Sequence, residues 1–199
     1  MTHAKRLVLD ELLSADGGII KTTTLNSKGF TSRDIKRLVL DGLLFRIKQG
    51  HYTGKEQDVS DIEIAAKLIP TGVLCLFTAI EHYELATVNP TEICIALPRG
   101  VKCPTLPATL YVNVFHMTDS HFRAGIAEVE INGSKIKIYD IEKTVCDCFK
   151  YDNNVEKGIA LEVIKNYIAR EHCNIQKLLE YANLLGKKKI IYPYVEALI

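Results

Sequence analysis

No two of the six cysteines are spaced as a CxxC pair; they stand at positions 75, 94, 103, 146, 148 and 173. Without paired spacing there is no ligand set for a structural zinc ion. Cys75, Cys94, Cys146 and Cys148 lie in apolar stretches, which predicts buried free thiols in a reducing compartment rather than a disulfide frame. A long apolar run is also missing. The richest region, Ile62 to Ile80, is interrupted by Glu63, Lys67, Pro70 and Gly72 and cannot span a bilayer. Lys5, Arg6, Asp10 and Glu11 break any signal core at the start of the chain. The expected location is therefore cytoplasmic, with no membrane partner. Enzyme signatures are lacking too. No E-x-K occurs, and the sole D-x-K is Asp34-Ile35-Lys36, so the carboxylate–lysine pair of a metal-dependent nuclease is absent. There is no glycine-rich phosphate loop, no serine in a nucleophile elbow, no internal repeat and no low-complexity segment. The expectation is a protein that is not an enzyme, without metal or cofactor.

What is present is a charge asymmetry. Over 199 residues the formal net charge is only +1, and the length suits one large domain or two small ones. Hydrophobic content of 47% and charged content of 25% are ordinary for a globular chain. Residues 1–55, however, hold ten Lys/Arg against five acids, while the remainder holds fifteen against nineteen. A basic first quarter on a mildly acidic body predicts a polyanionic partner for the first part alone.

The pattern of the first quarter is specific. Residues 3–14 place Leu7, Val8, Leu12 and Leu13 along one side of an amphipathic helix, and Asp16-Gly17-Gly18 is a turn. Ile19-Ile20 suits a very short strand. Thr22 to Lys28 suits a second helix, capped by a threonine and ended by Gly29 in the left-handed region. Thr31, with Asp34 three places later, forms a capping-box pattern for a third helix. On that helix Ile35, Leu38 and Val39 fall on one face and Arg33, Lys36 and Arg37 on the other, with Leu40 beside the cations. Gly42 ends it. Leu43 to Ile47 and His51-Tyr52 can then pair across a tip of Lys48, Gln49 and Gly50. Helix, turn, basic helix and hairpin stand in the order of a winged helix-turn-helix. A recognition helix sets its N-terminal residues against base edges, so Thr31, Ser32, Arg33, Lys36 and Arg37 are the candidate specific contacts, with Arg46, Lys48 and Gln49 on flanking backbone or minor groove. The expected partner is double-stranded DNA. The alternative for the cations is a solvated helix face.

Beyond a polar linker at Thr53 to Asp58, the body predicts an α+β domain over residues 59–199, a small β-sheet covered by helices, after a DNA-binding domain over residues 1–55. Ile62, Ala65, Ala66 and Ile69 make a helical face that stops at Pro70, and Gly72 to Leu85 reads as a buried helix. Strands are expected at Glu92 to Leu97 and Leu110 to Phe115, with a turn at Pro98-Arg99-Gly100. Ile126 to Ile131 and Lys135 to Tyr139 flank Asn132-Gly133, a hairpin signal. Helices follow at Asp140 onward, Val155 to Ala169, Gln176 to Leu185 and Tyr194 to Leu198. Asp140, Glu142 and Asp147 read as an N-cap and helix-surface acids rather than metal ligands. His82 reads as a core histidine. His116 and His121, with Asp119, lie in a loop-like stretch and offer a metal-binding alternative, a weak one because a five-residue His spacing lacks a third nearby ligand. Lys187-Lys188-Lys189 reads as a solvated helix junction, or alternatively a second phosphate contact.

The run from Gly29 through Tyr52, with GFT followed by IKRLVLDGLLFRIKQGHY, resembles the N-terminal winged helix of AbiEi-type antitoxins, the regulator halves of abortive-infection toxin–antitoxin operons. The likeness continues through LCLFTAIEHYELA, ALPRG and IYDIEKTVCDCFKY, and covers roughly residues 1–185 through the order of these segments. It implies an antitoxin and autorepressor of a type IV, AbiE-like operon that binds inverted repeats in its own promoter and counteracts a nucleotidyltransferase-like toxin, with no stable complex required. The DNA contacts it implies are Ser32, Arg33, Lys36, Arg37, Arg46 and Lys48. Glu142-Lys143-Thr144 with Asp147 is similar to the family's second-domain segment, with lysine at 143 where the family often has arginine; this keeps the charge and weakens a bidentate role. The alternatives are a stand-alone winged-helix repressor and a DNA-processing enzyme with a winged-helix targeting domain.

Overall fold

The structure, a computed structural model, describes residues 3–14, 18–54 and 59–198. It divides into two compact units: Met1–Pro70 with Pro104–Leu110 and Glu130–Lys135, and Thr71–Cys103 with Tyr111–Val129 and Ile136–Ile199. The fold is α+β, with ten helices and two sheets among the described residues.

The first unit runs α1 (His3–Ser14), β1 (Ile19–Lys21), α2 (Thr22–Ser27), α3 (Ser32–Leu40), β2 (Phe45–Lys48), β3 (His51–Thr53) and α4 (Asp61–Leu68). Leu9 of α1, Ile20 of β1, Leu25 of α2, and Ile35 and Leu38 of α3 form its core with Phe30 and Leu44 from the flanking loops, as the amphipathic spacing of the three short helices provides. The sheet has order β1-β3-β2, both pairs antiparallel, with Ile20 opposite Tyr52 and Arg46 opposite Tyr52 on the other side. The β2–β3 register shifts between Arg46 and Lys48, a local irregularity near the hairpin tip. Gly29 at φ +83° closes α2, where a side chain would be strained. Threonine does not cap α2: Lys21 holds the N-cap position, with no side-chain hydrogen bond, because Thr22 already lies within the first turn. The turn expected at Asp16-Gly17-Gly18 and the linker expected at Thr53 to Asp58 fall largely on residues 15–17 and 55–58, outside the described residues; Thr53 itself ends β3 and is buried.

In α4, Ser60 and Glu63 form a reciprocal capping box. The buried Glu63 carboxylate also accepts from Asn132 Nδ2 at 3.0 Å and Ser134 Oγ at 3.1 Å. Burial pushes this carboxyl up, but the donors from Asn132, Ser60 and Ser134 outweigh it and hold the group below its ordinary value.

The second unit contains β4 (Val73–Leu74), α5 (Leu76–His82), β5 (Ile93–Pro98), β6 (Val112–Met117), α6 (Asp119–Arg123), β7 (Ile126–Ile131), β8 (Ser134–Tyr139), α7 (Ile141–Lys150), α8 (Lys157–Ile168), α9 (Ile175–Leu184) and α10 (Lys188–Leu198), with the tip of the β7–β8 hairpin grouping with the first unit. The sheet is mixed, in order β6-β5-β4-β8-β7. Cys94 and Ala96 of β5 face the main helical core, while Ile95 and Leu97 are buried on the opposite face. Asn132 (φ +50°) and Gly133 (φ +79°) make the expected two-residue hairpin turn.

Several elements differ from the sequence reading. The stretch Gly72 to Leu85 is not one helix. Val73 and Leu74 are drawn into the sheet between β5 and β8, and the helix begins only at Leu76, whose φ is +44°. Two adjacent buried apolar residues fit a central strand as well as a helix, and sheet pairing decides between them. The stretch holding Asp119 and His121 is the short helix α6, and the last helix begins at Lys188, with Pro193 inside it. His82 is exposed rather than part of the core.

Candidate nucleic-acid interface

Thr31 Oγ1 accepts the Asp34 N–H at 3.2 Å, and the Asp34 carboxylate in return accepts the Thr31 N–H at 2.9 Å. This capping box fixes where α3 starts and therefore the rotation of every side chain after it. Asp34 is the sole acid of α3. Lys5 of α1 donates to it at 2.7 Å. That contact, with the two Thr31 donors, holds its carboxyl at about 2. The one negative charge on the helix is thus neutralised at the cap, on the side toward α1.

The remaining α3 surface is basic. Arg33, Lys36 and Arg37 are exposed. Arg37 Nε lies 3.8 Å from Asp41, an exposed pair that contributes little. Ser32 and Lys36 line a groove of about 650 Å³ between α3 and the hairpin, together with Arg46, Gln49, Gly50 and Tyr52. The hairpin tip is tied down by the Thr22 N–H, which donates to the Gly50 carbonyl at 2.9 Å. Of the eight candidate contacts, then, Ser32, Lys36, Arg46 and Gln49 share one groove. Arg33 and Arg37 stand on the adjoining exposed face of α3. Thr31 is committed to the cap. Lys48 donates to the Thr105 carbonyl at 3.2 Å. Beside it, burial lowers the His51 imidazole below its ordinary value despite the Gln49 carbonyl, and the Lys48 and Lys21 charges add to the effect.

Val39 is a correction. Ile35 and Leu38 are buried, but Val39 is 36% exposed and lies with Leu40 at the groove. Its position is intermediate on the helix, about 60° short of Lys36 at 100° per residue, and the groove opens on that side.

The segment from Asp140 to Asp147 is also different from its sequence reading. Asp140 caps α7, accepting the Lys143 N–H at 2.8 Å. Glu142 and Asp147 are not surface acids: both are buried, and Lys143 is fully buried with Asp147. Lys143 Nζ lies 2.6 Å from both Asp147 oxygens and 4.2 Å from the Tyr139 ring centroid. Burial pushes the Asp147 carboxyl up, and the adjacent ammonium opposes it. Glu142 accepts from the Tyr167 hydroxyl at 3.0 Å and pairs with Lys177 at 2.9 Å. The spacing of Lys143 and Asp147, one turn apart, was the available signal; nothing in a single sequence says which face of α7 turns inward. Among the described residues no group of His, Cys, Asp and Glu is arranged to hold a metal ion, His116, His121 and Asp119 included. No described helix is long and apolar enough to cross a membrane. Cys75, Cys94, Cys146 and Cys148 are buried free thiols.

No family model matches the chain, and no curated protein matches it. Among solved structures, the fold is similar to that of the RV2827C protein from Mycobacterium tuberculosis, with a TM-score of 0.65 and 14% identity over 94% of this chain and 78% of that one. At that identity the likeness is one of fold, an α+β architecture extending over nearly the whole chain.

Proposed function

We propose that α2, α3 and the β2–β3 hairpin form a winged helix-turn-helix that binds double-stranded DNA, with α3 as the reader and the hairpin as the wing. The protein is then a non-enzymatic, cytoplasmic antitoxin and autorepressor of an AbiE-like operon, acting at inverted repeats in its own promoter and counteracting a nucleotidyltransferase-like toxin. The observation that carries the DNA reading is the arrangement on α3. Its single acid is paired with Lys5 and Thr31, while Arg33, Lys36 and Arg37 stand exposed and Arg46 lines the same groove as Lys36. Arginine can read guanine through two parallel hydrogen bonds, and lysine and hydroxyl groups hold phosphates. The antitoxin part rests on the sequence resemblance.

A gel shift against the DNA upstream of the protein's own gene tests the first part. Arg33→Ala with Arg37→Ala should weaken binding at least ten-fold, at roughly 1–3 kcal/mol for a specific contact. Affinity should also fall steeply with salt, and each lost phosphate contact should reduce the slope by about 0.9. Salt-insensitive binding, or unchanged affinity in the double variant, would remove α3 as the reader.

A further inference from the structure

Leu40, the last residue of α3, is 86% exposed, although leucine is among the residue types most often buried. At about 100° per residue it falls roughly 40° beyond Lys36 and 20° short of Arg33. It therefore lies inside the basic face and not at its edge. Leu40, Val39 and Tyr52 line one groove together with the cations Lys36 and Arg46, so apolar side chains share it with a positively charged rim on α3 and the hairpin. Two copies meeting through this face would set Arg33, Lys36, Arg37 and Arg46 against their own counterparts, a like-charge contact that disfavours association. A polyanion fits the rim. On the base edges of duplex DNA, the apolar group open to a helix in the major groove is the C5-methyl of thymine.

We propose, resting on the DNA-binding reading above, that Leu40 is a specificity-determining residue that packs on thymine methyl groups with Val39 beside it. The preferred duplex then carries thymine at fixed positions next to the bases or phosphates met by Lys36 and Arg33. Lysine and arginine supply attraction that any duplex satisfies, and the leucine supplies a contact that only a methylated pyrimidine satisfies. Burial of one such group corresponds to about a four-fold change in affinity.

The test starts by selecting bound duplexes from a randomised pool with the full-length protein. The enriched duplex is then synthesised with thymine, or with uracil at each enriched thymine position, which removes the methyl and keeps the base pairing. The wild-type protein should bind the uracil duplex about four-fold more weakly per methyl lost. Leu40→Ser and Leu40→Gln, exposed substitutions whose folding is checked by circular dichroism, should bind the two duplexes alike. Arg33→Ala should weaken both equally and keep the thymine preference. Equal binding of both duplexes by the wild type overturns the proposal and leaves the DNA reading standing, as does a thymine preference that persists in both Leu40 variants. A fall in solution mass on Leu40→Ser with an unchanged thymine-to-uracil ratio identifies a self-association contact and overturns it too. Failure to enrich any duplex sinks the DNA reading itself.

Discussion

Asp34 does two jobs through one carboxylate, closing the α3 capping box and taking the Lys5 ammonium. Its folded value of about 2 lies below the ordinary 3.8, so folding favours the ionised form. That contribution is fully present above about pH 4 and is lost as pH falls through the folded value. The stability gap between wild type and Asp34→Ala should therefore narrow between pH 5 and pH 2, as read by urea denaturation across that range. Thr31→Ala removes the partner hydroxyl and should cost about 1 kcal/mol. The Lys143–Asp147 pair behaves differently because neither side chain touches solvent. Lys143→Met alone leaves a buried carboxylate unpaired and should cost about 3–5 kcal/mol, whereas adding Asp147→Leu should recover most of that loss. A double variant no more stable than the single one would mean that the pair holds the fold beyond its own charges.

At the scale of elements, α3 was legible because its signals are local. The cap, the Ile35/Leu38 spacing and the terminating Gly42 (φ +68°) all lie within a dozen residues, and the helix starts and ends where they put it. The β7–β8 hairpin was legible for the same reason. The strand β4 was not: Val73-Leu74 becomes strand only because β5 and β8 flank it, and those partners lie some twenty and sixty residues away. The inward face of α7 was hidden by the same kind of distance. Gly125, at φ +73°, brings the chain so close to α7 that a Cβ there would meet Lys143 Cβ at 2.7 Å, and its carbonyl accepts the Asp140 N–H at 2.7 Å. Gly125→Ala therefore combines left-handed strain with a backbone-level clash and should lower stability by about 2–4 kcal/mol in thermal or urea unfolding. Gly133→Ala, with the same sign of φ and open space around it, should cost less.

For the whole molecule, the first unit is assembled from three stretches of chain, not one. Glu63 of α4 is satisfied by Asn132 and Ser134, so the fragment 1–58 lacks part of what stabilises this unit. That fragment should unfold with low cooperativity compared with the intact chain, as followed by circular dichroism. If the protein is the antitoxin and autorepressor proposed above, the two activities are better separated in the full chain. Arg33→Ala with Lys36→Ala and Arg37→Ala should abolish operator binding and leave rescue from the neighbouring gene's toxicity intact; loss of both would tie the antitoxin effect to DNA binding. The cap and end of α3, the two hairpins, the burial of four thiols and the basic character of the first quarter were all legible in the sequence, because each follows from spacing and side-chain type within a short window. The joint burial of Lys143 and Asp147, the pairing of Lys5 with Asp34, and the groove that Val39 and Leu40 share with Arg46 and Gln49 appear only once the chain is folded. Those outcomes depend on which surfaces meet across long stretches of chain, and periodicity carries no information about that.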